Sequence, residues 1–345
     1  MPYIVSPFSV PGHVVKFRLA ARLTWACHWH WNYAYMIKTV NLTRRYGELV
    51  AVDSLSITVE PGQVLGFLGP NGAGKTTTMR MIAGFIAPSA GTVSVCGHSL
   101  TTDPVAAQAC MGYLPEGAPG YDEMTVQRFL RFIADIRGLD GDFRRSRLGD
   151  VIERLHLAPV LHQRLETLSK GFRRRVGLAQ AIIHDPQVLI LDEPTDGLDP
   201  NQKQEVRQLI QDMAADKIIV ISTHILEEVD AVCNRVMIIA RGRLLADDTP
   251  DGLIARSRYH NAVSLSLVTG SVDQIKTDLA ALPRVASVEL DQATGRITAF
   301  PAGNQPLLPD ISRLASDKNW NLKELHLESG RMEEVFRNIT TGHGA

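Results

Sequence analysis

Several features are scarce in this 345-residue sequence. Cysteine occurs at Cys27, Cys96, Cys110 and Cys233 only, far apart and never as C-x-x-C, which leaves no basis for a disulfide framework or a zinc site and fits a reducing cytosol. No stretch supplies the roughly 20 apolar residues of a spanning helix. The longest apolar runs, at 188–191 and 218–221, have the length of buried strands, so any membrane role requires a separate partner. Neither sign of charge dominates: 36 basic against 37 acidic residues give a net charge of -1, without the basic domain or stripe that a nucleic-acid partner normally leaves. A heptad array is also absent.

What is present is the composition of packed domains. Hydrophobic residues make up 45% and charged residues 21%, outside the disordered and membrane-embedded ranges, and the length suffices for two domains with a core each. Residues 1–35 stand apart. Trp25, Trp29 and Trp31, with His28 and His30, follow neither strand alternation nor a helical stripe, and Lys16, Arg18 and Arg22 break the apolar segment that a signal peptide needs. Met36 directly precedes a good opening strand at 37–42, so it is expected to be the natural start and 1–35 a mis-called extension.

From Met36 short apolar runs alternate with helical patterns: 56–59, 64–68, a glycine-rich loop, then a helix through Met79, Ile82 and Phe85. Such alternation reads as an α/β domain, expected over 36–248. A turn at Pro88-Ser89-Ala90-Gly91 leads to an edge strand at 92–96. Between 121 and 162 the pattern is helical, with Val126, Phe129, Leu130 and Ile133 on one face and Leu148, Val151, Ile152 and Leu155 on another. Strands return at 188–191, 218–221 and 236–239, so 117–170 reads as a helical insert in one sheet domain. The pattern breaks near 247–258, with a short helix at 253–256. Beyond it, 259–345 reads as strand, helix, strand, strand, helix, strand, the βαββαβ order of a small α+β ferredoxin-like domain. A last helix carries Met332, Val335, Phe336 and Ile339 on one face.

Gly69, Pro70, Asn71, Gly72, Ala73, Gly74, Lys75 and Thr76 fit G-x-x-x-x-G-K-[ST] at every fixed position, after an apolar strand and before a helix. Glycines let successive backbone N–H groups turn inward on phosphates, and the helix N-terminus adds a favourable dipole. Lys75 is expected to reach the β/γ-phosphates, Thr76 to bind Mg²⁺ and Thr77 to join the phosphate contacts. At 188–191 four aliphatics deliver Asp192 and Glu193 to a strand end, where the ligand crevice of an open α/β sheet lies. Asp192 is expected to hold Mg²⁺, largely through coordinated water, and Glu193 to take the proton from the attacking water.

Leu168-Ser169-Lys170-Gly171-Phe172, between the helical insert and the next helix, resembles the LSGGQ-type signature of the ABC ATPase family, with Lys170 and Phe172 departing from it. The resemblance extends over nearly all of 36–248. It implies that Ser169 and Gly171 of one subunit close over the phosphate loop of another, in a head-to-tail homodimer holding two ATP molecules. Taken alone, Ser169 reads equally well as the N-cap of a basic amphipathic helix. Tyr46 resembles the aromatic residue that stacks on adenine, although by itself a tyrosine there reads equally as a core or edge residue. Gly197-Leu198-Asp199 resembles the D-loop, which implies that Asp199 touches the partner subunit. His224, in Ser222-Thr223-His224, resembles the switch histidine that senses the γ-phosphate. Glu116 stands where the family has the Q-loop glutamine; it can still offer oxygen to Mg²⁺ or water but brings negative charge toward the phosphates. Arg173-Arg174-Arg175 reads as the solvated face of a helix rather than as a nucleic-acid contact.

Within the family, Leu-Ser-Lys-Gly-Phe, the following Arg-Val-Gly-Leu-Ala-Gln, Pro200-Asn201-Gln202 and the terminal Glu333-Glu334-Val335-Phe336 are similar to ATPase subunits of ABC-2-type exporters, most of all the gliding-motility-type group. That resemblance implies an ATP- and Mg²⁺-dependent ATPase at the cytoplasmic face of the membrane, peripheral to a separately encoded permease whose short helices dock beside the insert and Glu116. Competing readings are a soluble ABC ATPase of translation or repair, which would call for two cassettes or a coiled coil, and a P-loop phosphotransferase, which would call for an acceptor site in place of the signature.

Overall fold

The computed structural model describes residues 36–118, 120–303 and 305–341; the expected extension at 1–35 lies outside the described residues. In chain order the strands are β1 (Ile37–Tyr46), β2 (Leu49–Val59), β3 (Val64–Leu68), β4 (Ala90–Val95), β5 (His98–Ser99), β6 (Met111–Leu114), β7 (Val188–Asp192), β8 (Ile218–Thr223), β9 (Arg235–Ala240), β10 (Arg243–Asp248), β11 (Val263–Thr269), β12 (Val285–Asp291), β13 (Arg296–Pro301) and β14 (Asn321–Leu327). The helices are α1 (Lys75–Ile82), α2 (Pro104–Ala109), α3 (Val126–Ile136), α4 (Gly141–Arg154), α5 (Lys170–Ile182), α6 (Pro200–Ala214), α7 (Leu226–Val232), α8 (Pro250–Ile254), α9 (Val272–Ala280), α10 (Leu308–Asp317) and α11 (Met332–Thr341).

Among the described residues the strands form three sheets. The central one has the order β10-β9-β3-β8-β7-β6, parallel from β9 to β6 with β10 antiparallel at the edge. β3, β7 and β8 are buried at every position, as their unbroken apolar runs require of strands covered on both faces. Their side chains divide by the two-residue period of a strand. Leu189, Leu191, Ile219 and Ile221 enter a core shared with the helical insert, α5 and α6. Val188, Ile190, Ile218 and Val220 enter a second core, closed by Met79 and Ile82 of α1 and by an antiparallel sheet of order β2-β1-β4-β5. The helical stretch between 121 and 162 resolves into α3 and α4, with Thr125 Oγ1 capping α3 through the Arg128 N–H.

The third sheet, order β12-β13-β11-β14, is antiparallel throughout, with α9 and α10 over a core of Val263, Leu265, Ile275, Leu279, Ile297 and Ile311. This is the ferredoxin-like arrangement. The last helix does not belong to that core. Met332 and Val335 of α11, with Phe336 and Ile339 beside them, pack into the core of the central sheet together with Leu253 and Ile254 of α8. Ser257 Oγ donates to Glu334 Oε2 at 2.5 Å, tying the entrance and exit of the ferredoxin-like unit to each other.

Candidate functional site

The strand β3 ends beneath the phosphate loop, and two backbone approaches dictate glycine there. A Cβ at Gly69 would run into the carbonyl of Ile239, and one at Gly74, whose φ is 104°, would stand 2.5 Å from the carbonyl oxygen of Ala51. No side chain caps the N-terminus of α1, so its first N–H groups face the loop without a side-chain acceptor. Lys75 is 7% exposed and folds back over the loop: Nζ donates to Gly69 O at 2.6 Å and Pro70 O at 3.2 Å. Burial pushes its ammonium below the ordinary lysine range, while Glu193, Asp192 and Glu116 act the other way.

Tyr46, residues 71–77, Glu116 and Glu193 line one cavity of about 720 Å³. Residues 49, 50, 51 and 241 line it too; sequence reasoning passed over them because apolar β2 residues and an arginine in a turn carry no motif. Tyr46 is 44% exposed, with the Arg44 guanidinium 4.6 Å from its ring centroid.

At the end of β7, Asp192 pairs across the sheet with Ser222 of β8. Asp192 is 1% exposed; Ser222 Oγ donates to its Oδ1, whereas Oδ2 is buried with no hydrogen-bond partner among the described residues. A buried carboxylate oxygen left open in this way is costly unless an electropositive group or water meets it. It fits a magnesium site, because Mg²⁺ is held by one or two protein oxygens completed by water and phosphate.

The next residue, Glu193, leaves the strand at φ 52°, a left-handed conformation uncommon outside glycine. Its N–H donates to Ser222 O at 3.0 Å, its carbonyl accepts from Arg174, and its carboxylate meets His224 Nδ1 at 3.0 Å from each oxygen. Burial pushes the Glu193 carboxyl up, and the bond from His224 pulls it back down.

A second buried carboxylate was not legible in the sequence. Glu228, on α7, accepts from Thr195 Oγ1 and from Thr223 Oγ1 (2.8 Å), with Lys203 Nζ at 3.9 Å. It joins the loop after Glu193 to the residue before His224. A glutamate in a helical Leu-Glu-Glu-Val run gives no sign of burial; only the packing of α7 against the sheet does.

Ser169, Gly171 and Asp199 gather elsewhere, off the cavity. Ser169 Oγ caps α5 through the Phe172 N–H, and Asp199 Oδ1 caps α6 through the Gln202 N–H at 2.9 Å. A Cβ on Gly171 would stand 2.6 Å from Gln202 Oε1, so the signature and the D-loop pack on each other within the chain. The expected solvated face of Arg173-Arg174-Arg175 is corrected. Arg173 pairs with Asp122 at the surface, but Arg174 and Arg175 are 4% and 7% exposed. Arg174 serves the carbonyls of Pro115 and Glu193, and Arg175 pairs with Glu205 at 2.8 Å. Because α5 is wedged between the sheet and the insert, guanidiniums that find acceptors inside can be enclosed.

Comparison with known proteins supplies the family. The family model described as ABC transporter matches residues 52–196. The linearmycin resistance ATP-binding protein LnrL of Bacillus subtilis is 28% identical over 306 residues, 88% of this chain and 98% of that protein. The Nod factor export ATP-binding protein I of Paraburkholderia xenovorans is 38% identical over 298 residues, 86% of this chain and 94% of that protein. A solved structure described as the ATP binding subunit of an ABC transporter superposes with a TM-score of 0.60 at 29% identity, over 63% of this chain and 91% of that one. With a phosphate loop, a strand-end acid pair and full-length similarity of this degree, the chain belongs to the ABC transporter ATP-binding protein family and is a nucleotide-binding ATPase.

Proposed function

We propose that this chain is the ATP-hydrolysing subunit of an ABC-2-type exporter of the gliding-motility-like group, acting as a homodimer at the cytoplasmic face of a membrane beneath a separate permease. The observation that carries the reading is the Glu193 carboxylate: it lines the phosphate-loop cavity, is held by His224 at 3.0 Å and belongs to the residue after Asp192, whose Oδ2 is buried and open. Relatives named for resistance and export support the direction, and among the described residues no helix is long and apolar enough to cross a membrane.

In this reading Tyr46 stacks on adenine, residues 69–77 cradle the phosphates and Lys75 exchanges its loop carbonyls for phosphate oxygens. Thr76, Asp192 and Glu116 are the residues that would hold Mg²⁺, which supplies charge neutralisation to the phosphates. Glu193 accepts a proton from the attacking water and His224 steadies it. Ser169, Gly171 and Asp199 lie off the cavity of their own chain, which supports their use against the phosphates of a partner subunit. Contacts made only with ATP in place stabilise the closed dimer, and hydrolysis removes them.

The permease dock is a groove of about 710 Å³ whose rim includes the exposed Phe85, Val105 and Ile136. Met111 and Tyr113 of β6 line it, and the same strand ends two residues before Glu116, so one strand leads from the groove toward the nucleotide cavity. The test is the Glu193→Gln protein: it is expected to bind ATP and accumulate as a closed dimer without turnover, and normal hydrolysis by it would contradict the assigned base.

A further inference from the structure

Helix α5 sends one charged side chain into the space between the two loops that frame the cavity. Arg174 Nη1 donates to Pro115 O at 3.1 Å and Nη2 donates to Glu193 O. The first carbonyl belongs to the residue before Glu116, the second to the residue assigned as the base. Glu193 needs such an anchor. Its left-handed backbone is a conformation that persists only when the surroundings over-determine it, and its N–H is already held from the opposite side by Ser222 O at 3.0 Å. The two peptides that flank Glu193 are thus pinned, one by β8 and the other by α5, the helix that begins beside Ser169.

The charge also suits the place. Burial disfavours the charge of this guanidinium, but Asp196, Asp192, Glu193 and Glu116 all favour it, so the buried cation and these carboxylates, Glu116 among them, offset one another. A planar fork of donors can serve two carbonyls in fixed directions; a lysine ammonium on a flexible stem cannot reproduce that geometry.

We propose that Arg174 is a positioning residue for ATP hydrolysis, bridging the Glu116 loop to the backbone of Glu193 so that displacement of α5 is transmitted to the base. The proposal rests on Glu193 being that base. It concerns the hydrolytic step, not nucleotide binding, because Arg174 does not line the cavity.

The test compares the full chain with Arg174→Lys and Arg174→Gln, measuring kcat, affinity for a non-hydrolysable ATP analogue by calorimetry, and thermal unfolding. Arg174→Lys is expected to keep analogue affinity within about threefold and lose kcat by about tenfold or more, the scale of a misplaced catalytic group. Arg174→Gln, which removes the charge as well, is expected to lose more, and Glu116→Gln in the same chain to recover part of it. A kcat within about twofold of the parent in Arg174→Lys overturns the proposal on that same scale, as does a loss matched by equal loss of affinity or by unfolding of both variants. Glu193→Gln, run in parallel, separates the two readings: normal turnover overturns the base and the positioning role with it, whereas a stalled Glu193→Gln beside a normal Arg174→Lys overturns Arg174 alone.

Discussion

His224 presents Nδ1 at 3.0 Å from both carboxylate oxygens of Glu193, so a ring from the end of β8 faces the carboxylate at the end of β7. An ionised carboxylate only accepts, which places the proton on Nδ1. Burial raises the Glu193 carboxyl and this bond lowers it.

His224→Ala is therefore expected to lower kcat by about a hundredfold, the low end for loss of acid–base machinery, with ATP affinity nearly unchanged. A base works when deprotonated, and removing His224 leaves burial less opposed. The acid limb of the pH–rate profile should move to higher pH, and an unmoved limb would show that the contact does not tune Glu193.

Glu228 gathers two hydroxyl donors and Lys203 in the interior. Glu228→Ala strands Thr195 and Thr223, and is expected to cost about 2–3 kcal/mol of stability, read as a lower urea midpoint. Glu228→Gln keeps one acceptor and should cost less.

His184 Nε2 meets Met111 O at 3.0 Å, and burial lowers its pKa to about 4 from 6.5. A histidine held neutral in the fold protonates first in the unfolded chain. Its contribution is thus full above pH 6.5 and lost as pH falls from 6.5 toward 4. The loss is at most about 3 kcal/mol, and less because the ring is partly exposed. Urea unfolding at pH 7 and pH 5 should show a smaller pH dependence in His184→Gln than in the parent.

Val335 is buried in the core of the central sheet although it follows the ferredoxin-like unit in sequence. Val335→Ala is expected to destabilise by about 2 kcal/mol and to speed amide exchange in β9, β10 and α8. Faster exchange confined to β11–β14 would contradict that packing.

Much of the fold was legible because strands covered on both faces must be continuous apolar runs, and because the phosphate loop carries its context with it. The run at 64–68 is observed as β3 with the same bounds, and 188–191 and 218–221 as β7 and β8. The strand expected at 56–59 is the end of β2, whose earlier apolar residues are interrupted by Asp53 and Ser54, and β6, α2, α6 and α7 went unread because they are short or polar on their outer faces. Arg174 and Arg175 misled for a physical reason: a charge pattern records which residues are ionised, not which find acceptors in the interior.

By itself the sequence determined the chemistry on offer: a glycine loop that only glycines can form, a lysine and a hydroxyl after it, two carboxylates at a strand end and a histidine just after a later strand. Local spacing suffices there, since each group is fixed by one strand or one turn. Only the tertiary structure decided the rest. That Asp192 keeps one buried oxygen open, that Arg174 clasps the carbonyls of Pro115 and Glu193, 59 and 19 residues away, and that α11 returns to the first core all depend on separate elements meeting or on a pocket several elements enclose. No local pattern encodes such meetings, because burial and pairing are properties of the packed whole.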